Sequence, residues 1–305
     1  MTIELRLTDV DPPTAEPART IYRDIQALPD PAILGITVRY FNYDDSGLYM
    51  QITGSATGYT FTPVNLGLLA SGANAYQNLD AFASRAKPTV AQLPNGEMSE
   101  NITLTLKAYT DASYTTLKWT FNRSVTVIWL NSADAAFTVD MLDNFDDGLL
   151  HDWTVEWMQG TPTGGYPILA VVSDYVLSAP YSARMYGRAG VAGDWEACRI
   201  KKSVTTPAKT ECYAIFDIRL TKDTWWFAKN LQVRKDAVTQ IFLGRAQDNT
   251  DTDYVPVNKW IRAIIPLTPS TTFLLDLYYA GRAIGISSGG TFDLWLDDFK
   301  IISKS

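Results

Sequence analysis

Ile102-Thr-Leu-Thr-Leu-Lys-Ala-Tyr109, Thr116-Leu-Lys-Trp-Thr-Phe121 and Ser124-Val-Thr-Val-Ile-Trp-Leu130 follow one another with short polar breaks between them. Apolar and polar residues alternate along these runs, which are rich in β-branched and aromatic side chains. Successive side chains of a strand point to opposite faces, so this alternation marks strands with one buried face. Ile36-Thr-Val-Arg-Tyr-Phe41 reads the same way, and Asp44-Asp-Ser-Gly47 and Asn122-Arg-Ser124 read as turns. Turn residues recur at about 8–15 positions, the spacing of β-sandwiches. Residues 31–139 divide in this way into about seven short strands.

The helical period is weak. Two exceptions are expected as short helices. Over residues 18–28, Ile21, Tyr22, Ile25 and Leu28 share a face, and a second segment runs from Tyr76 to Ala86 before Pro88.

With 305 residues, 46% hydrophobic and 19% charged, the chain suits two domains with real cores and excludes wholesale disorder. The net charge is −7. It is spread evenly, and neither half is basic. Nucleic acid is therefore not an expected partner. The pair Lys201-Lys202 reads as a solvated strand face. No apolar stretch reaches the roughly 18 residues of a membrane helix, and Met1-Thr-Ile-Glu-Leu-Arg-Leu7 lacks the pattern of an export signal.

Residues 1–30 differ from the remainder of the chain. Ile3, Leu5 and Leu7 alternate with polar residues as in a strand, and Asp9-Val-Asp-Pro-Pro-Thr-Ala-Glu-Pro17 is a proline-stiffened link. Such a strand cannot bury its apolar side alone. It pairs either with its own domain's sheet or, as an arm, with a neighbouring subunit.

The run Ser55-Ala-Thr-Gly-Tyr-Thr-Phe61, with the strand count and turn spacing, makes residues 31–139 resemble an immunoglobulin-like or fibronectin-like module. In the second half, Asp143-Asn-Phe-Asp-Asp-Gly148 followed by Trp153, Ser178-Ala-Pro-Tyr-Ser-Ala-Arg-Met185, the long runs Glu196–Val204 and Glu211–Leu220, Trp260-Ile-Arg-Ala-Ile-Ile-Pro266 and the closing Phe292-Asp-Leu-Trp-Leu-Asp-Asp-Phe-Lys-Ile301 stand in the order of a carbohydrate-binding-module jelly roll. Residues 140–305 resemble that family, and a galactose-binding-like or concanavalin-like sandwich gives nearly the same pattern. The fold class expected is all-β: an N-terminal arm over 1–30, an immunoglobulin-like sandwich over 31–139 and a jelly roll over 140–305.

In a jelly roll the first and last strands lie side by side. Like-charged carboxylates meeting there repel unless a cation sits among them. The resemblance implies one structural calcium, with Asp146 and Asp298 as the first ligand candidates and Asp143 and Asp297 as the second; solvated turn aspartates are the alternative. Cys198 and Cys212 face inward on successive strands, either as two buried thiols or as one disulfide. His151, the one histidine, falls in a polar turn and reads as solvated.

No pair of acids is spaced for glycoside hydrolysis, because Asp297 and Asp298 are neighbours on one strand and point to opposite faces. The remaining signal is aromatic. Seven of the nine tryptophans lie in the second half. Trp225 and Trp226 cannot both point into a core, since neighbours on a strand face opposite ways. Indole and phenol rings stack on the C–H faces of sugars, which makes Trp225, Trp226, Tyr254 and Tyr278 glycan-binding candidates; core packing and subunit contact are the alternative.

The expected function is that of a non-catalytic structural protein of a virion or cell surface, such as a spike, fibre, decoration or appendage subunit. Its partners would be copies of itself, neighbouring structural proteins or a surface glycan. The alternatives are a binding protein for a surface polysaccharide and, further off, an accessory to a glycoside hydrolase.

Overall fold

In a computed structural model the chain is described over residues 2–6, 20–29, 31–159, 166–188, 195–222, 226–245, 257–283 and 290–305. The described residues are almost entirely strand, as the alternation requires. They fall into two compact units, Met1–Ala135 and Ala136–Ser305.

The first unit contains β1 (Ile3–Arg6), β2 (Thr20–Asp24), β3 (Ala32–Asn42), β4 (Leu48–Ser55), β5 (Tyr59–Phe61), β6 (Val64–Leu69), β7 (Asn74–Arg85), β8 (Glu97–Tyr109) and β9 (Leu117–Leu130). One sheet runs β1-β3-β7-β5 and the other β2-β9-β8-β4-β6. Leu5, Val38 and Phe82 from the first sheet meet Met50, Leu104, Val127 and Trp129 from the second in one core. At its edge Glu100 ties the sheets together. Its Oε2 accepts from Tyr59 Oη at 2.7 Å and Trp129 Nε1 at 2.9 Å, and it pairs with Arg85.

Both described strands of the N-terminal segment are built into this unit. β1 pairs antiparallel with β3 of the same chain, which buries Ile3 and Leu5, and β2 pairs parallel with β9.

Three sequence expectations are corrected here. Of residues 18–28, the described ones from Thr20 on form β2 and then a 3-10 turn over Ile25–Ala27, not a helix. The Asp24 carboxylate accepts from Gln26 N and from the backbone and hydroxyl of Ser132, so strand and turn together bury Ile21 and Ile25 at a spacing that mimics a helix face. Tyr76–Ala86 is likewise not helical but falls almost wholly within β7. There the register slips between the pairs Ile36↔Leu79 and Leu34↔Ala83, and this bulge places buried Leu79 and Phe82 three residues apart. Finally, Asn122-Arg-Ser124 is no turn. Asn122 pairs with Thr105 in the middle of a continuous β9 and accepts its hydroxyl at 2.9 Å, while the hairpin turn is organised by the Asp111 carboxylate.

The second unit contains β10 (Thr138–Asp143), β11 (Thr154–Gln159), β12 (Ile168–Val172), β13 (Ser182–Arg188), β14 (Trp195–Thr205), β15 (Glu211–Lys222), β16 (Trp226–Lys235), β17 (Val238–Arg245), β18 (Trp260–Leu267), β19 (Thr272–Ala283) and β20 (Thr291–Lys304). One sheet runs β12-β13-β20-β15-β18, with β10 also on β20; the other runs β11-β14-β19-β16-β17. All the pairings are antiparallel. First and last strands do lie side by side, with Asp143 opposite Phe299. Phe145, Phe216 and Phe299 pack in the shared core with Ile200, Leu231, Leu277 and Tyr279, and the Trp153 ring meets Phe299 edge-on at 5.1 Å.

Packing is tight where β13 pairs with β20 and Gly187 stands opposite Phe292. A Cβ on Gly187 would sit 2.1 Å from Cζ of Phe292. Gly187→Ala is expected to destabilise the second unit by about 1–3 kcal/mol, read by calorimetry, and shortening the neighbour by Phe292→Leu in the same chain should return part of the loss. An additive double variant would refute this account of the contact.

Candidate functional site

Residue alternation in the five-stranded sheet of the second unit sends two sets of side chains opposite ways. On β19, Phe273, Leu275, Leu277 and Tyr279 enter the core. Asp276 and Tyr278 therefore face outward, and their strand neighbours complete two rungs. One rung runs Glu156, Arg199, Tyr278, Gln232; the next runs Thr154, Lys201, Asp276, Arg234, Thr239.

The rungs are knitted by charge. Arg199 donates through Nε and Nη2 to Glu156, at 3.1 and 2.8 Å, and through Nη1 to Asp276 at 3.2 Å. Arg234 Nε donates to the other Asp276 oxygen at 2.6 Å, and Lys201 pairs with Glu156. The Arg234 guanidinium lies 4.1 Å above the Tyr278 ring, a cation–π contact. Thr239 Oγ1 donates to Gln232 at 2.8 Å. The side chain of Asp276 is 0% exposed and that of Glu156 39%, so the centre of the face is covered by its own guanidinium groups and its rim is wet.

The Lys201 ammonium and then the Arg199 guanidinium pull the Glu156 carboxyl down to about 2. Burial pushes the Tyr278 phenol up, an effect Arg234 partly offsets.

Of the glycan-binding candidates, Tyr278 lies on this face. Trp226 opens β16 opposite Ala283, and Trp225 and Tyr254 lie outside the described residues. Sequence reasoning missed Glu156, Arg199, Lys201, Gln232, Asp276 and Arg234. Their signal was present: Arg199-Ile-Lys201, Gln232-Val-Arg234 and Asp276-Leu-Tyr278 each place two polar residues two apart within apolar strands. The reading of Lys201-Lys202 as a solvated pair is corrected in the same way. Lys201 faces out, whereas Lys202 is buried with its Nζ 2.5 Å from Asp143.

The four aspartates expected around a calcium ion have other partners. Asp143 holds Lys202 and accepts Trp153 Nε1 at 2.9 Å. Asp297 accepts from Leu177 N, Ser178 N, Ser178 Oγ and Asp298 N, and burial raises its carboxyl against the pull of these donors. Asp298, at φ +50°, stands 3.7 Å from Arg262. Asp146 accepts from Asn144 and keeps one buried oxygen without a partner, a single ligand where calcium takes six to eight. Among the described residues no three of His, Cys, Asp and Glu converge as metal ligands. The donor set at this junction does not fit a calcium ion, and an ammonium group stands against Asp143 instead.

His151 falls in a turn, as expected, and its Nε2 lies 3.0 Å from Asp147 in a solvent-exposed contact. The disulfide alternative is also corrected, because Cys198 and Cys212 are both free thiols. Cys198 lies seven residues before the end of β14 at Thr205, about 23 Å along the strand at ~3.3 Å per residue. Cys212 is the second residue of β15 in the opposite sheet. A disulfide needs Cα atoms within about 7 Å. Burial pushes both thiols up, Cys198 strongly, which keeps them protonated and inert.

No protein-family model matches the chain, and no curated protein does. Solved structures similar to it include carbohydrate-binding modules with β-sandwich folds. A module from a study of promiscuous specificity in the β-sandwich superfamily is 10% identical over 99% of this chain and 98% of its own, with a TM-score of 0.35. The CBM22-1 xylan-binding domain of Paenibacillus barcinonensis Xyn10C is 17% identical over 57% of this chain and 99% of its own, with a TM-score of 0.33. The mannan-recognising module TmCBM27 is 10% identical over 55% of this chain and 99% of its own, with a TM-score of 0.35.

Two measurements test the electrostatics of the face. Asp276→Ala leaves two guanidinium groups without their shared acceptor and is expected to cost the second unit about 3–5 kcal/mol in denaturant unfolding. Glu156 has a folded-state pKa below its unfolded value, so its contribution is complete above about 4.5 and disappears as pH falls towards about 2. The melting temperatures of wild type and Glu156→Gln should therefore differ at neutral pH and converge across that window; a constant gap would show that the carboxylate is not held by Lys201 and Arg199.

Proposed function

We propose that the second unit is a non-catalytic carbohydrate-binding sandwich, and that the chain is a structural protein of a virion or cell surface that presents it. The ligand lies across the outer face of β11-β14-β19-β16-β17. The convergence of Tyr278 with Arg199, Arg234, Gln232 and Asp276 on that single face carries the reading. A pyranose ring offers both kinds of complement, C–H faces for the aromatic and guanidinium planes and hydroxyls for the charged and amide groups around them. Strands about 4.8 Å apart make a five-stranded face about 19 Å wide, room for a short oligosaccharide.

The same geometry argues for binding rather than hydrolysis. Glycoside hydrolysis needs one carboxyl held protonated and a second facing it across the bond. Here Glu156 is held low by Lys201, and Asp276 is occupied by two guanidinium groups.

Full-length protein on a glycan array is expected to bind at least one polysaccharide, and Tyr278→Ala should weaken that binding by about fivefold to tenfold, the scale of one aromatic contact. An array with no binding would sink the carbohydrate reading. The structural role is tested separately by electron microscopy of the source particle or cell surface with antibody against the chain, where label confined to soluble material would refute it.

A further inference from the structure

We propose that the other sheet of the second unit, β12-β13-β20-β15-β18, carries a separate site for a carboxylate-bearing sugar, in which Arg219 holds the carboxylate and Tyr175 supplies a stacking surface. The proposal rests on the carbohydrate reading of this unit but uses none of the residues around Tyr278. Every strand of this sheet, side chains included, lies within the described residues. Ile218 and Leu220 enter the core, so Arg219 between them faces outward. Its ladder neighbours are Trp295 on β20 and Trp260 on β18.

The first observation is which cations of this face are already met. Arg184 pairs with Asp293 at 2.6 Å and Asp174 at 3.7 Å. Arg262 Nε donates to both oxygens of Asp217 at 3.1 Å, and the same guanidinium stands 3.7 Å from Asp298. Arg219, by contrast, makes no hydrogen bond and no ion pair among the described residues. Its Nε is shielded from water and is not offered to a ligand. Its two Nη groups have no partner either, but they are not shielded, and the residue is partly exposed. Four of the five N–H donors of the fork thus meet only solvent.

The second observation is how this guanidinium is held. The Tyr175 ring lies 4.5 Å from it in a cation–π contact and stands edge-on to Trp295 at 5.1 Å. The segment that carries Tyr175 is anchored on both sides, by Asp174 on Arg184 and by Leu177 N and Ser178 N on the Asp297 carboxylate at 2.8 and 3.0 Å. The face of the guanidinium is therefore packed while its Nη edge stays in water. Tyr175 itself is 54% exposed, and Trp260 is partly so.

A carboxylate suits the Nη edge. It is planar like the fork, accepts two parallel N–H bonds from it, and carries the single charge that one guanidinium neutralises. The flanking rings of Tyr175 and Trp260 are complements for the C–H faces of a pyranose. A sugar acid brings both features, whereas a neutral sugar would displace water from the cation without compensating its charge.

The test uses full-length protein with polygalacturonate, alginate and hyaluronate, each beside its methyl ester, and with neutral galactan. At least one acidic polymer is expected to bind about tenfold or more tightly than its ester, and added salt should erode the difference. Arg219→Gln should bring that ratio close to one, and Arg219→Lys should restore only part of it, because an ammonium cannot make the paired bonds. Tyr175→Ala should weaken binding of the acidic polymer severalfold, which serves as the test if Arg219→Gln does not fold. Tyr278→Ala should leave the ratio unchanged. If Arg219 only props up the Tyr175 segment, wild-type protein will bind acid and ester alike. That result, a ratio that survives Arg219→Gln, or a ratio lost in Tyr278→Ala would overturn the proposal and leave the carbohydrate reading standing, whereas absence of binding to every polysaccharide would remove both.

Discussion

The two-residue period of β19 is the constraint on which the second unit depends. Phe273, Leu275, Leu277 and Tyr279 must enter the core to cover the facing sheet, whose Phe216, Ile218, Leu294 and Phe299 have no other apolar partner layer. Burial of such side chains is worth about 1.5–3 kcal/mol each, more than any polar contact on the outside offers. The register is thereby fixed, and a slip by one residue would exchange every inward and outward side chain. Asp276 and Tyr278 face outward because their neighbours cannot. The polar platform is the other side of the same alternation, and its neighbours on β14 and β16 fall into line with it through the ladder.

A carboxylate with no exposed side-chain surface on the outside of a sheet is costly unless its charge is met on the spot. Asp276 is met twice, by Arg199 on one flanking strand and Arg234 on the other. Such a pairing adds little net stability, because desolvation of the three groups offsets much of the Coulombic attraction. Its effect is geometric. It freezes two long side chains that would otherwise sample many rotamers, and their ordering entropy is lost in folding.

The sandwich class and most strands were legible because alternation survives wherever one face is buried. What was hidden is where the period breaks. The bulge in β7 brought Leu79 and Phe82 to a spacing of three, and the step from β2 into a 3-10 turn did the same for Ile21 and Ile25; both imitate a helix. Asn122-Arg-Ser124 has turn residues, yet these positions continue the long ladder with β8, and ladder pairing outweighs local propensity. The site was half legible. Tyr278 stood out as an aromatic, whereas nothing in the sequence singles out Arg199, Asp276 and Arg234, which only the ladder sets side by side. Lys202 was misread because the side of the sheet to which a lysine points follows from register and not from residue type.

The two sheets of the second unit differ in what lies over their outer faces. The sheet containing β13, β20, β15 and β18 has its own rung of cations and aromatics: Arg184, Trp295, Arg219 and Trp260 are strand neighbours. That rung is occupied by the chain itself. The connection from β12 to β13 folds back over it, with Tyr175 edge-on to Trp295 at 5.1 Å and under Arg219 at 4.5 Å, and its backbone at Leu177 and Ser178 is tied down by Asp297. Trp295 is 1% exposed as a result. The aspartate that sequence spacing offered as a metal ligand is thus the anchor of a cover, four donors taking the part a cation would have played. The outer rungs of the two sheets are thus closed by different means, the one around Trp295 by the chain's own connection and the one around Asp276 by the guanidinium groups of Arg199 and Arg234.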